Sequence, residues 1–134
     1  LFLIRQVGDT YYAEDQGLAH FCSQILSMNP RSRWLGLLHN EIHCQITLME
    51  AGLRLAEYRT RGGAEVPFVI HIPGNTMIAM TLDAKERVSE KNLKSLGSVA
   101  KRQPGTVRLI AFHLGENAYL SSRQILCLPI TWIA

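Results

Sequence analysis

Charge is scarce in this chain. Asp, Glu, Lys and Arg make up 19% of its 134 residues, and 14 basic against 11 acidic side chains leave a net charge of +3. That balance excludes a strongly basic nucleic-acid arm and a polybasic membrane anchor. Cysteine is rarer still. Cys22, Cys44 and Cys127 are odd in number and widely spaced, so no disulfide framework follows and a cytoplasmic, reducing setting is expected. No apolar run approaches the ~20 residues of a membrane helix, so no membrane partner is expected. The phosphate-cradling glycine motifs, the GxSxG nucleophile turn and CxxC are all missing from the sequence, which removes the familiar nucleotide, serine-hydrolase and dithiol chemistries. Repeats, low-complexity tracts and linkers are missing too. The first residue is Leu1 rather than Met, which leaves an upstream segment or signal peptide open.

What remains is apolar. Hydrophobic residues make up 47%, enough for a real core in one domain covering residues 1–134. The organising stretch is Glu65 to Asp83, two apolar runs flanking Pro73-Gly74-Asn75. Pro presets a turn, and Gly and Asn accept positive φ. A three-residue loop sets Ile72 opposite Thr76, Ile70 opposite Ile78, Phe68 opposite Met80 and Val66 opposite Leu82, gathering one apolar face. A loop one residue longer or shorter scatters that face. Val69, Met77, Ala79 and His71 form a second, mostly apolar face, so both sides are expected to be covered.

Around this hairpin the periodicities predict further elements. Leu1 to Ala13 reads as strand, turn, strand, with Gly8-Asp9 at the turn. Leu18, Phe21, Cys22, Ile25 and Leu26 form the stripe of an amphipathic helix ended by Asn29-Pro30. Arg33 to Leu38 reads as a short buried strand. Asn40 to Thr60 reads as a hairpin, because Ile42, Cys44, Ile46 and Leu48 alternate and Gly52 would destabilise a helix interior by about 1 kcal/mol. A helical stripe of Ile42, Ile46, Met49, Leu53 and Ala56 is the competing pattern. Asp83 to Arg102 reads as a helix starting at Asp83 or Ser89, with Leu93, Leu96 and Ala100 inward and Pro104-Gly105 as the stop. Val107 to Leu114 and Ser122 to Ile133 complete the strands, joined across Gly115-Glu116-Asn117. The order predicts an α+β domain, a mainly antiparallel sheet with two amphipathic helices.

Three groups of residues have the composition of a site. His39, Glu41 and His43 are metal-ligand types, and His20 and Cys22 could complete a shell, although the spacing is not HExxH. A metal-assisted hydrolase is the enzymatic alternative they define. His71 and His113 could form an acid/base pair if their strands were neighbours, but the residues two positions on, Pro73 and Gly115, lack the hydroxyl that paired-histidine phosphodiesterases carry. Basic residues crowd the stretch 85–102, with Lys91, Lys94, Lys101 and Arg102 as a candidate patch and a nucleic-acid accessory role as the corresponding alternative. No aromatics accompany that patch for base stacking.

No catalytic constellation emerges, and no cofactor is expected. The expectation is a non-catalytic regulatory or accessory module acting through protein–protein contact. Its partner is another protein or a second copy in a homodimer. Ile130, Trp132 and Ile133, at the end of an apolar tail, are the candidate interface.

Overall fold

The computed structural model describes residues 4–8, 10–13, 29–49 and 52–133. The helix expected over Leu18 to Leu26 lies outside the described residues. Residues Ile4–Val7 (β1) and Thr10–Ala13 (β2) form the expected small hairpin. Pro30–Met49 is a helix (α1), followed by strands Arg54–Arg59 (β3), Glu65–Ile72 (β4) and Thr76–Leu82 (β5). A second helix, Glu90–Arg102 (α2), leads into strands Thr106–His113 (β6), Tyr119–Leu120 (β7) and Leu126–Pro129 (β8), and a 3-10 turn covers Ile130–Trp132. The fold is α+β.

The central hairpin forms as its apolar faces require. Phe68 opposes Met80, Ile70 opposes Ile78 and Ile72 opposes Thr76, and the loop between them places Gly74 at φ 95° and Asn75 at φ 61°. One position departs from expectation. Ala56 of β3 opposes Val69, but Tyr58 opposes Val66, so β4 carries an extra residue in the stretch that contains Pro67. Pro has no N–H to give a ladder, and a bulge is where a sheet interior tolerates it. The bulge turns Val66 away from Phe68 and into the opposite core.

α1 replaces both the strand expected over Arg33 to Leu38 and the first arm of the hairpin expected over Asn40 to Thr60. Asn29 Oδ1 accepts from the Arg31 N–H at 2.8 Å, and Pro30 occupies the first helical position, where its missing N–H is harmless. The helix ends at Met49, before Gly52, so the glycine penalty never applies. Gly52 instead takes φ 68° in the turn to β3. The alternation that resembled a strand has no physical consequence, since Cys44 and Leu48 are exposed.

α2 begins after Ser89, the later of the two expected starts. The Ser89 hydroxyl accepts from the Asn92 N–H at 3.4 Å, and Leu93, Leu96 and Val99 are buried while Ala100 is exposed. Asp83 instead closes β5. Its carboxylate accepts from the Ser89 N–H at 2.7 Å and from Asn92 Nδ2 at 2.9 Å, fixing the approach to the helix.

The six-stranded sheet has the order β3-β4-β5-β6-β8-β7. Pairs β3–β4, β4–β5 and β7–β8 are antiparallel, and the α2 crossover makes β5–β6 parallel. β8 also runs parallel to β6, so the two strands expected on either side of Gly115-Glu116-Asn117 are neighbours but not an antiparallel pair. The chain passes β6, makes β7 and reverses at 121–125, where the Ser121 hydroxyl accepts from the Arg123 and Ile125 N–H groups at 3.2 and 3.1 Å. β8 is thereby inserted between β6 and β7.

Helices cover both faces. Val66, Val69, Met77, Ala79, Ala111 and Cys127 pack beneath Leu93, Leu96 and Val99 of α2. Phe68, Met80, Leu82, Phe112 and Ile130 pack beneath Leu35, Leu38 and Ile42 of α1, joined by Val7 and Tyr12 of the small hairpin. Arg31 Nε donates to the Leu82 carbonyl at 3.1 Å and ties the start of α1 to the end of β5. No described helix is long and apolar enough to cross a membrane.

Candidate functional site

The second half of α1 does not close down on the sheet. Ile70 and Ile78 face each other across β4 and β5 but stay half-buried. Beside them runs an open groove of about 510 Å³. Ile42, Ile46 and Met49 of α1 form one wall and Ile70, Ile72 and Ile78 the floor. Trp132 and Ile133 close one side. Glu41 and Gln45 are the polar lining residues, and Gln45 Nε2 donates to Glu41 Oε1 at 3.2 Å. This pair answers one another and leaves the floor apolar. Around the rim, Met49 is 61% and Trp132 63% exposed, and the neighbouring Leu48 is 78% exposed. A groove of this character accepts hydrophobic side chains.

Of the candidate interface residues, Ile130 is buried in the core beneath α1. Trp132, the last residue of the 3-10 turn, and Ile133, just after it, lie at the groove.

The helical conformation of α1 divides the candidate metal ligands. His39 and His43, four residues apart, share a face, with ring centroids 6.1 Å apart and planes within 7°. Tyr12 stacks on His39 at 4.3 Å and 3°, and Phe68 lies against both rings. Burial, with the Glu57 carboxylate adding to it, raises the Tyr12 phenol to about 12. Glu41 is two residues from each histidine, about 200° around the helix, and lines the groove instead. His20 and Cys22 lie outside the described residues. Among the described residues no three His, Cys, Asp or Glu side chains come together around a common point.

The two strand histidines are also apart. β5 separates β4 from β6. His71 lies level with Met77 and Val107, whereas His113 ends β6 six residues further on. At about 3.3 Å per residue the rings sit roughly 20 Å apart along the strands, too far for an acid/base pair.

Lys91, Lys94, Lys101 and Arg102 are all exposed, on α2 and its last turn. Glu86 and Glu90 precede them, and the Glu90 carboxylate at the start of the same helix accepts from Arg123 Nε at 2.6 Å.

The groove wall was visible in the sequence under another reading. Ile42, Ile46, Met49 and Leu53 of the competing helical stripe all line it. Ile72 and Ile78 had no such signal, because both look like ordinary core positions until α1 is placed.

No family model matches the chain, and no curated protein matches its sequence.

Proposed function

We propose that this chain is a non-catalytic binding module, acting in a regulatory or accessory capacity, whose contact surface is the groove between α1 and the sheet, and that a second copy of the chain fills it. The observation that carries this reading is the coincidence of socket and knob on one patch. A two-fold interface joins a surface to itself, so it must hold both the cavity and the side chain that enters it. Here the apolar floor of Ile70, Ile72 and Ile78 is the cavity, and the exposed Trp132 and Met49 at its rim are the knobs. Trp and Met are types enriched at interface cores, and charged residues are depleted there. The free thiols of Cys44 and Cys127 support a cytoplasmic setting for this role.

Replacing Met49 and Trp132 together by serine tests the reading. Both are well exposed in the single chain, so circular dichroism is expected to stay unchanged while the dimer dissociation constant rises at least about 30-fold, the equivalent of ~2 kcal/mol. A dimer of undiminished affinity in this double variant rejects the groove as the contact surface.

A further inference from the structure

His113 occupies an unusual position at the end of β6. Its side chain is 1% exposed. Nδ1 accepts a hydrogen bond from the Gly115 N–H at 2.9 Å, which puts the proton of the neutral ring on Nε2. That atom is buried without an aligned hydrogen bond. The ring lies 5.3 Å from that of Tyr119.

Two loops meet at this point. The Leu114 N–H donates to the Lys85 carbonyl at 2.8 Å. The Val88 N–H donates to the Tyr119 hydroxyl at 2.9 Å. The Arg87 guanidinium sits 4.1 Å above the Tyr119 ring. A Cβ on Gly115 would stand 2.5 Å from the Glu86 carbonyl, so the loops touch backbone to backbone. The segment 84–88 leads directly into the Ser89 cap of α2.

We propose that His113 is an acid-operated latch: a second proton, taken up at Nδ1, sets donor against donor at the Gly115 N–H, and the loop after β6 releases the loop before α2. The surroundings favour release over accommodation. Arg87, from the loop before α2, opposes a new positive charge. Tyr119 of β7 and Cys127 of β8 are the other titratable groups against the ring, and burial pushes both their pKa values up, keeping them neutral. Glu86 and Glu116 line the adjoining recess of about 450 Å³ but are exposed, where solvent and salt screen them. Burial pushes the His113 pKa down, with the Cys127 and Asn117 carbonyls pulling the other way. The latch is therefore closed above the ordinary imidazole value of about 6.5 and opens as pH falls below it.

Amide hydrogen exchange followed by NMR tests this, with rates expressed as protection factors so that the intrinsic pH dependence cancels. Between about pH 7.5 and about pH 5, protection at Leu114, Gly115 and Val88 is expected to fall at least about tenfold, while Val69 and Ala79 in the sheet interior stay protected. In His113→Phe the loop protection is expected to be independent of pH. A flat profile in the parent protein, or the same fall in the Phe variant, overturns the proposal. Should the Phe variant not fold, the ring nitrogen shifts of the parent decide: the imidazole must titrate with the midpoint of loop opening, and a separate midpoint overturns the latch.

Discussion

Phe68 and Ile70 sit two residues apart on the same face of β4, yet their truncation should have unequal effects. Phe68 is fully buried, 5.6 Å from Tyr12 and 6.2 Å from His39. Phe68→Ala removes a whole ring from a closed site and is expected to lose about 3–5 kcal/mol, with ~0.5–1.5 kcal/mol of that from its aromatic neighbours. Ile70 is half-buried and forms the groove floor. An isoleucine in a closed core would lose ~2–5 kcal/mol on truncation. With part of its surface already in solvent, Ile70→Ala should lose roughly two thirds of that, about 1.3–3.3 kcal/mol. Urea melts of both variants at low protein concentration measure the contrast. With an m-value near 2 kcal/mol/M, typical of small domains, the midpoint should fall by ~1.5–2.5 M for Phe68→Ala and ~0.7–1.7 M for Ile70→Ala. Equal losses, or a loss for Phe68→Ala below about 1.5 kcal/mol, would refute the placement of the groove and of the core beside it.

Three further outcomes follow from the structure. Asp83→Ala removes the acceptor for two groups at the start of α2 and should lose about 1–3 kcal/mol in denaturant melts. Burial opposes ionisation of Asp83, but the hydrogen bonds from Ser89 and Asn92 and the Lys85 charge hold its carboxyl below the usual range. Its contribution is therefore full above the ordinary value of about 3.9 and is lost as pH falls through the lower folded value, so Asp83→Ala should weaken the parent's acid dependence in that window. In a spectrophotometric titration Tyr12 should ionise at about 12, and its late phase should be missing from Tyr12→Phe. Gly105 adopts φ 93°, and a Cβ there would meet the Asn75 carbonyl at 2.2 Å. Gly105→Ala should destabilise by at least ~1 kcal/mol in thermal or denaturant melts, and a neutral result would contradict that close approach.

The hairpin was legible because side-chain parity has period two: a slip of one residue between Phe68 and Met80 exposes every apolar side chain at once. α2 was legible from its caps and its leucines. α1 was not, because Ile42, Cys44, Ile46 and Leu48 satisfy both periods, and Gly52 counted against a helix that in fact stops at Met49. The bulge at Pro67 carried a sign, since a proline inside a paired strand requires one, but its effect on Val66 depends on the pairing with β3. The insertion of β8 beside β6 depends on contacts across the sheet that no local pattern encodes. The same holds for the groove. Its wall was present as a helical stripe and its rim as Trp132 and Ile133, but an opening exists only once α1 and the 3-10 turn are set against Ile70 and Ile78.

Sedimentation equilibrium of the unaltered chain, from about 1 to about 100 μM, tests the central claim most directly. A self-complementary groove predicts a mass that rises from 15.1 kDa toward twice that value as concentration increases. A mass that stays at 15.1 kDa throughout the range would contradict it.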